Sequence, residues 1–194
     1  MVSDEVIKDL QSIRVKRTYN TWEPFMRKHS CWVICEIGVC GGINFREMIK
    51  HGPKLAVAID SWVNDGITSR NDGGYSQETM NQQCEEFTKS MSDKPFVNIY
   101  REYSFDAVKH FEDNYFDVVY IDADHSYEGC LRDLEDWYPK VKKGRFLLGD
   151  DYRIYKGKRP GVKFGVIEAV NEFAKKNNLE FFELSKYGWG MIKI

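Results

Sequence analysis

The chain has 194 residues, enough for a single domain with a sizeable core. With 42% hydrophobic and 30% charged residues and a net charge of -2, the composition gives no electrostatic case for nucleic acid or an acidic membrane as a partner. No apolar run approaches the ~20 residues of a membrane span, and the acid-bearing start MVSDEVIKDL lacks the apolar stretch of a secretory signal.

Residues 1–30 read as one or two helices outside the first strand, and they carry the aromatic segment YNTWEPF, which suits either stacking on a ring or packing on the sheet. Apolar runs then alternate with helical patterns. The runs are Trp32–Ile37, Leu55–Ile59, Phe96–Tyr100, Phe116–Ile121 and Arg145–Gly149. Runs of this kind suit strands buried on both faces. Helices are expected over Asn44–Lys50, Gln77–Ser90, Phe105–Phe111, Tyr127–Tyr138 and Val166–Asn177. Two further strands, Leu179–Leu184 and Trp189–Ile194, follow across a short SKYG turn. The order predicts one α/β domain, a doubly wound, Rossmann-like, seven-stranded sheet, mostly parallel with an antiparallel C-terminal hairpin. The five cysteines include no CxxC pair and are expected as reduced thiols in a cytoplasmic setting.

Long loops in compact domains are functional or disordered. The polar stretch 63–76 leaves the carboxyl end of the second strand and reads as a lid, or else as a mobile insertion.

The turn CEIGVCGGINF offers Gly38, Gly41 and Gly42 but not the GxGxxG of dinucleotide sites. Glu36 ahead of it would repel a pyrophosphate and suits a ligand with a cationic or polar amino-acid tail. The plainer reading is a tight turn capped by that acid. Asp60, ending the second strand, suits a ribose, or else caps a turn. Asp122 and Asp124 follow the fourth strand, and Asp150 and Asp151 follow the fifth. The two strands are neighbours in such a sheet, so the carboxylates repel unless a cation sits among them. Oxygen-only ligands suit Mg²⁺, Mn²⁺ or Ca²⁺ over zinc. Each acid taken alone is also compatible with a solvated loop.

The segments EIGVCGG, AIDSW, REYSFDAVKHF, FDVVYIDADHSYEGCLRDLEDWYPKVKKG and LLGDDY resemble class I S-adenosylmethionine-dependent methyltransferases. The chain is most similar there to small metal-dependent O-methyltransferases, including those acting on sugars of macrolides and glycans. The resemblance implies that Glu36, Gly38 and Gly42 hold the methionine part of the donor, S-adenosyl-L-methionine. Asp60, with Ser61 and Trp62, would take the ribose, and Tyr103 and Ser104 the adenine; Asp122 also borders the donor. Ser104 is alternatively an N-cap. Asp122, Asp150 and Asp151 would hold a divalent cation, Mg or Mn, the last being Asp where relatives acting on phenols often have Asn.

His125 would be the general base, or alternatively an N-cap or a ring bonded to Asp124. Asp124 would orient that ring or act as a second base. In the following helix Tyr127, Leu131, Leu134 and Tyr138 are expected in the core, with Asp133 and Trp137 structural. The basic loop 151–164 suits an anionic acceptor or is simply solvated. The acceptor implied is a small molecule or glycan, with no nucleic acid or membrane partner, and homo-oligomerisation is left open. A nicotinamide oxidoreductase and a non-catalytic ligand-binding domain are the competing readings.

Overall fold

A computed structural model describes residues 4–13, 22–64, 75–154, 164–184 and 187–194. The strands are β1 (Val33–Ile37), β2 (Leu55–Ile59), β3 (Val97–Tyr100), β4 (Phe116–Ile121), β5 (Val141–Gly149), β6 (Phe181–Glu183) and β7 (Trp189–Ile192). They form one seven-stranded sheet in the order β3-β2-β1-β4-β5-β7-β6. Strands β1 to β5 pair in parallel, whereas β7 runs antiparallel to both β5 and β6. The doubly wound sheet with its antiparallel end is thus as the sequence predicts.

Helices cover both faces. On one lie α1 (Asp4–Ser12), α2 (Trp22–Lys28), α3 (Ile43–Met48) and α4 (Gln77–Met91). Leu10, Trp22, Phe25 and Met26 are buried there with Ile34, Tyr120 and Leu148. Trp22 and Phe25 of the aromatic segment therefore pack on the sheet. On the other face lie α5 (Ser104–Ala107), α6 (Tyr127–Trp137) and α7 (Val166–Lys176). The central strands are buried on both faces, which is why they read as continuous apolar runs.

Two elements and one burial pattern differ notably from the sequence reading. The helix expected over Phe105–Phe111 is one α-helical turn that tightens into a 3-10 turn at Val108–His110. The fifth strand begins at Val141, four positions before the expected Arg145, because its polar KKG segment bulges out of the ladder. Asp117, almost fully buried, pins that bulge. It accepts the N–H groups of Trp32 and Val33 and pairs with Lys142 at 2.9 Å. In α6, Leu134 is fully buried, but Tyr127, Leu131 and Tyr138 pack only partly buried beside the core. Gly129, Cys130, Asp133 and Trp137 occupy the inner face instead.

The strand order reverses between β1 and β4, so the carboxyl ends of these strands flank a crevice. Backbone bonds extend the ladder one residue past each strand. Gly38 N–H donates to Ile59 at 2.8 Å, Asp122 N–H to Ile37 at 2.8 Å and Asp150 N–H to Ile121 at 3.2 Å. The residues that end the strands are thereby held in one row along the crevice. Among the described residues no helix is long and apolar enough to cross a membrane.

Candidate active site

A cleft of about 330 Å³ opens at these carboxyl ends. Gly38, Asp60, Ser61, Trp62, Tyr103, Ser104, Asp122, Asp124, His125 and Asp151 all line it, so most sequence-predicted site residues share one cavity.

The glycine loop is fastened from β2. Asp60 accepts the N–H of Cys40 on Oδ2 at 2.8 Å and that of Trp62 on Oδ1 at 2.7 Å. The Trp62 indole N–H returns to the Cys40 carbonyl at 2.9 Å. Asp60 therefore caps the turn, the plainer of its two readings, and it also lines the cleft. Gly42 opens α3 at φ 76, a left-handed conformation that glycine adopts without strain.

Glu36 sits behind the loop and is 2% exposed. Its Oε1 accepts from Asn44 Nδ2 at 3.1 Å, and Asn44 in turn accepts the Trp22 indole N–H. Its Oε2 has no hydrogen-bond partner among the described residues. Burial pushes the Glu36 carboxyl well above the usual carboxylate range, against the pull of Asn44. A buried acid with one orphaned oxygen fits a site completed by a hydrogen-bond donor or an ammonium group.

On the β4 and β5 side, His125 Nε2 lies 3.2 Å from Asp122 Oδ1 and 3.2 Å from Asp151 Oδ2. The ligand-type atoms of these three residues all fall within 4.8 Å of one another. Asp151 reaches inward because its backbone is left-handed, at φ 57. Asp150 does not join the trio. Its Oδ1 accepts the Asp151 N–H at 2.8 Å. Burial first, and then the Asp122 charge, push Asp150 up to about 7; burial also raises Asp151, against the pull of His125. Crowded, desolvated carboxylates are the condition a hard cation relieves, so the donor set fits a divalent ion.

Neither His125 nor Ser104 is an N-cap. Ser126 caps α6 and accepts the Gly129 N–H, and Tyr103 takes the cap position of α5. Asp124 accepts the Ser126 N–H at 3.0 Å and folds onto the first turn of α6. A Cβ at Gly129 would stand 2.3 Å from its Cγ. The carboxylate's aim is thus towards the helix start. Residues 65–74 of the expected lid and 155–163 of the basic loop lie outside the described residues; Asn64 and Tyr75, flanking the former, are joined by a 2.9 Å hydrogen bond.

Sequence reasoning missed one cleft residue of interest, Asp133, and placed Arg153 in the basic loop beside the site, where it does line the cleft. Arg153 pairs with Asp151, and its guanidinium lies 4.7 Å from the centre of the Tyr187 ring. Asp133, read as merely structural, lines the cavity. The available signal was an acid on the apolar stripe of Cys130, Leu134 and Trp137.

A mostly parallel sheet in this order, with a glycine loop after β1 and carboxylates after β2, β4 and β5, is the architecture of class I methyltransferases. The chain belongs to the family described as "Methyltransferase domain", which matches residues 35–152. Among solved structures it shares its fold with the O-methyltransferase NovP, at TM-score 0.61 and 17% identity over 91% of this chain and 77% of that one. The S-adenosylhomocysteine-bound methyltransferase PaMTH1 of Podospora anserina is similar at TM-score 0.63 and 14% identity, covering 100% and 89%. An O-methyltransferase of Bacillus cereus in complex with the same product matches at TM-score 0.56 and 12% identity, covering 100% and 93%. In sequence, the uncharacterized protein R132 of Acanthamoeba polyphaga mimivirus is 37% identical over 43 residues, 22% of this chain and 20% of that one.

Proposed function

We propose that this methyltransferase moves a methyl group from S-adenosyl-L-methionine to a hydroxyl of a sugar or glycoside, assisted by a divalent cation. The observation that carries the reading is the trio Asp122, His125 and Asp151 in the same cleft as Gly38 and Asp60. Solved structures of this fold with S-adenosylhomocysteine bound support the choice of donor.

The roles follow from chemistry and position. Glu36 Oε2, orphaned behind the glycine loop, suits the ammonium of a methionine tail. Asp60 presents lone pairs to ribose hydroxyls. A cation there would be held by Asp122 and Asp151, with Asp150 beside them, and would supply Lewis acidity that makes a sugar hydroxyl more acidic. His125 lies within hydrogen-bond reach of both carboxylates, so it can take the acceptor's proton and be stabilised as imidazolium. Transfer needs the oxygen in line with the sulfonium methyl, and holding it there carries much of the rate. The sugar preference rests on the DADH and GDDY segments of the sequence. Five free cysteines fit a reducing, cytoplasmic location.

A screen of labelled methyl transfer over sugars, glycosides and catechols, with and without Mg²⁺ or Mn²⁺, tests this. Metal-stimulated label on a sugar hydroxyl is expected. Label on catechols alone selects a phenolic acceptor instead. Calorimetric binding of NAD without binding of S-adenosylhomocysteine would overturn the reading.

A further inference from the structure

Asp151 is tied to Arg153 twice. The Arg153 backbone N–H donates to the Asp151 carbonyl at 2.7 Å, and Arg153 Nε stands 2.5 Å from Asp151 Oδ1 as an ion pair. That second contact is one of charge and close packing, since the buried Nε makes no hydrogen bond among the described residues. The other carboxylate oxygen, Oδ2, faces His125 Nε2 at 3.2 Å. The two oxygens of Asp151 thus have separate neighbours: Oδ1 meets a cation of the protein's own, and Oδ2 belongs to the trio.

The guanidinium is held in its turn. Its Cζ lies 4.7 Å from the centre of the Tyr187 ring and 5.6 Å from that of Phe164, whose ring also stands 4.6 Å from His125. A guanidinium over aromatic faces is attracted by their electron density. The Tyr152 N–H donates to the Tyr187 carbonyl at 2.7 Å, which fastens the segment carrying Asp151 and Arg153 to the segment carrying the ring. Aromatic walls from two other parts of the chain therefore keep the guanidinium against Oδ1.

An oxygen covered by a guanidinium is closed to a metal ion, so Asp151 offers such an ion one oxygen. Ions differ in what they ask of a carboxylate. Ca²⁺ takes roughly six to eight oxygens and readily uses both from one carboxylate. Mn²⁺ settles into an octahedral shell of single oxygens and water.

We propose that Arg153 is a positioning residue that sets metal selectivity: by covering Asp151 Oδ1 it confines that carboxylate to one-oxygen coordination and so favours Mn²⁺ over Ca²⁺. This rests on the divalent-cation reading above. The positive charge of Arg153 repels every divalent ion alike, so the ratio of affinities, and not either affinity alone, reports the geometry.

The test is calorimetric titration of the metal-stripped protein with Mn²⁺ and with Ca²⁺. Wild type is expected to prefer Mn²⁺ by roughly tenfold or more. In Arg153→Met, whose stem still packs between the rings, both ions should bind more tightly and the preference should shrink by roughly fivefold or more, because Asp151 then offers both oxygens. Tyr187→Leu, which removes one wall, should shrink it to a lesser degree. A folded Arg153→Met protein in which both affinities move together reduces Arg153 to its charge and overturns the proposal. Should that variant not fold, an unchanged ratio in Tyr187→Leu overturns it instead. Equal wild-type affinity for the two ions defeats this inference alone, whereas binding of neither defeats the cation assignment as well.

Discussion

Asp151→Ala is expected to lower methyl transfer by at least roughly a thousandfold while leaving S-adenosylhomocysteine affinity within about twofold. Asp151 contributes one of the three ligand-type atoms of the cluster, and it does so from a left-handed backbone that directs the carboxylate at His125. Its loss removes a cation ligand and one of the two negative partners of the imidazole. The glycine loop, Asp60 and Glu36 are untouched, so donor binding should persist. Initial rates at saturating donor, together with calorimetry on the product, separate the two effects. Equal losses in rate and in product affinity would instead mean that the substitution disturbs the whole crevice.

Gly38→Ala should be the most damaging single methyl in the chain. Gly38 has φ +87, and a Cβ there would lie 1.9 Å from the Asp122 carbonyl oxygen, 2.4 Å from its carbon and 2.7 Å from the Ala123 Cα. All three obstacles are backbone of the neighbouring loop, so no side-chain rotation relieves them. Glycine is required because the first and fourth strand ends approach each other at that point, where the Asp122 N–H bonds the Ile37 carbonyl. The expected cost exceeds about 4 kcal/mol, a large part of the stability of an ordinary domain. In a chain of this size that lowers the thermal midpoint by roughly 10–20 °C, or abolishes folding. Gly41→Ala is the control. Its Cβ would meet nothing within 4 Å, and a change under about 1 kcal/mol is expected. Thermal melts of the two variants side by side decide the matter; similar midpoints would refute the steric explanation.

The strand ends were legible because the chemistry changes abruptly there. FDVVYI gives way to DAD and RFLLG to GDD, and the parallel register then places both acidic segments at one crevice. What each acid does with its side chain was not legible. Asp150 and Asp151 are adjacent and identical, and a single positive φ decides that the second reaches the cluster while the first bonds its neighbour's N–H. Asp124 is drawn to the start of α6 because Gly129 leaves room for it, a fact that depends on helix packing. Asp133 was visible as an acid on an apolar stripe, but its partner, the Ser104 hydroxyl of α5, lies 29 positions away in sequence. The polar bulge in β5 concealed the start of that strand for a similar reason, since Asp117 that anchors it lies on β4.

The most direct measurement takes the best acceptor from the screen and compares initial rates of the metal-stripped protein before and after Mg²⁺ or Mn²⁺ is restored. Transfer should fall to background in chelator and recover with the ion in the wild type but not in Asp151→Ala. A wild-type rate that is the same in chelator as in excess divalent ion would contradict metal-assisted transfer at Asp122, His125 and Asp151.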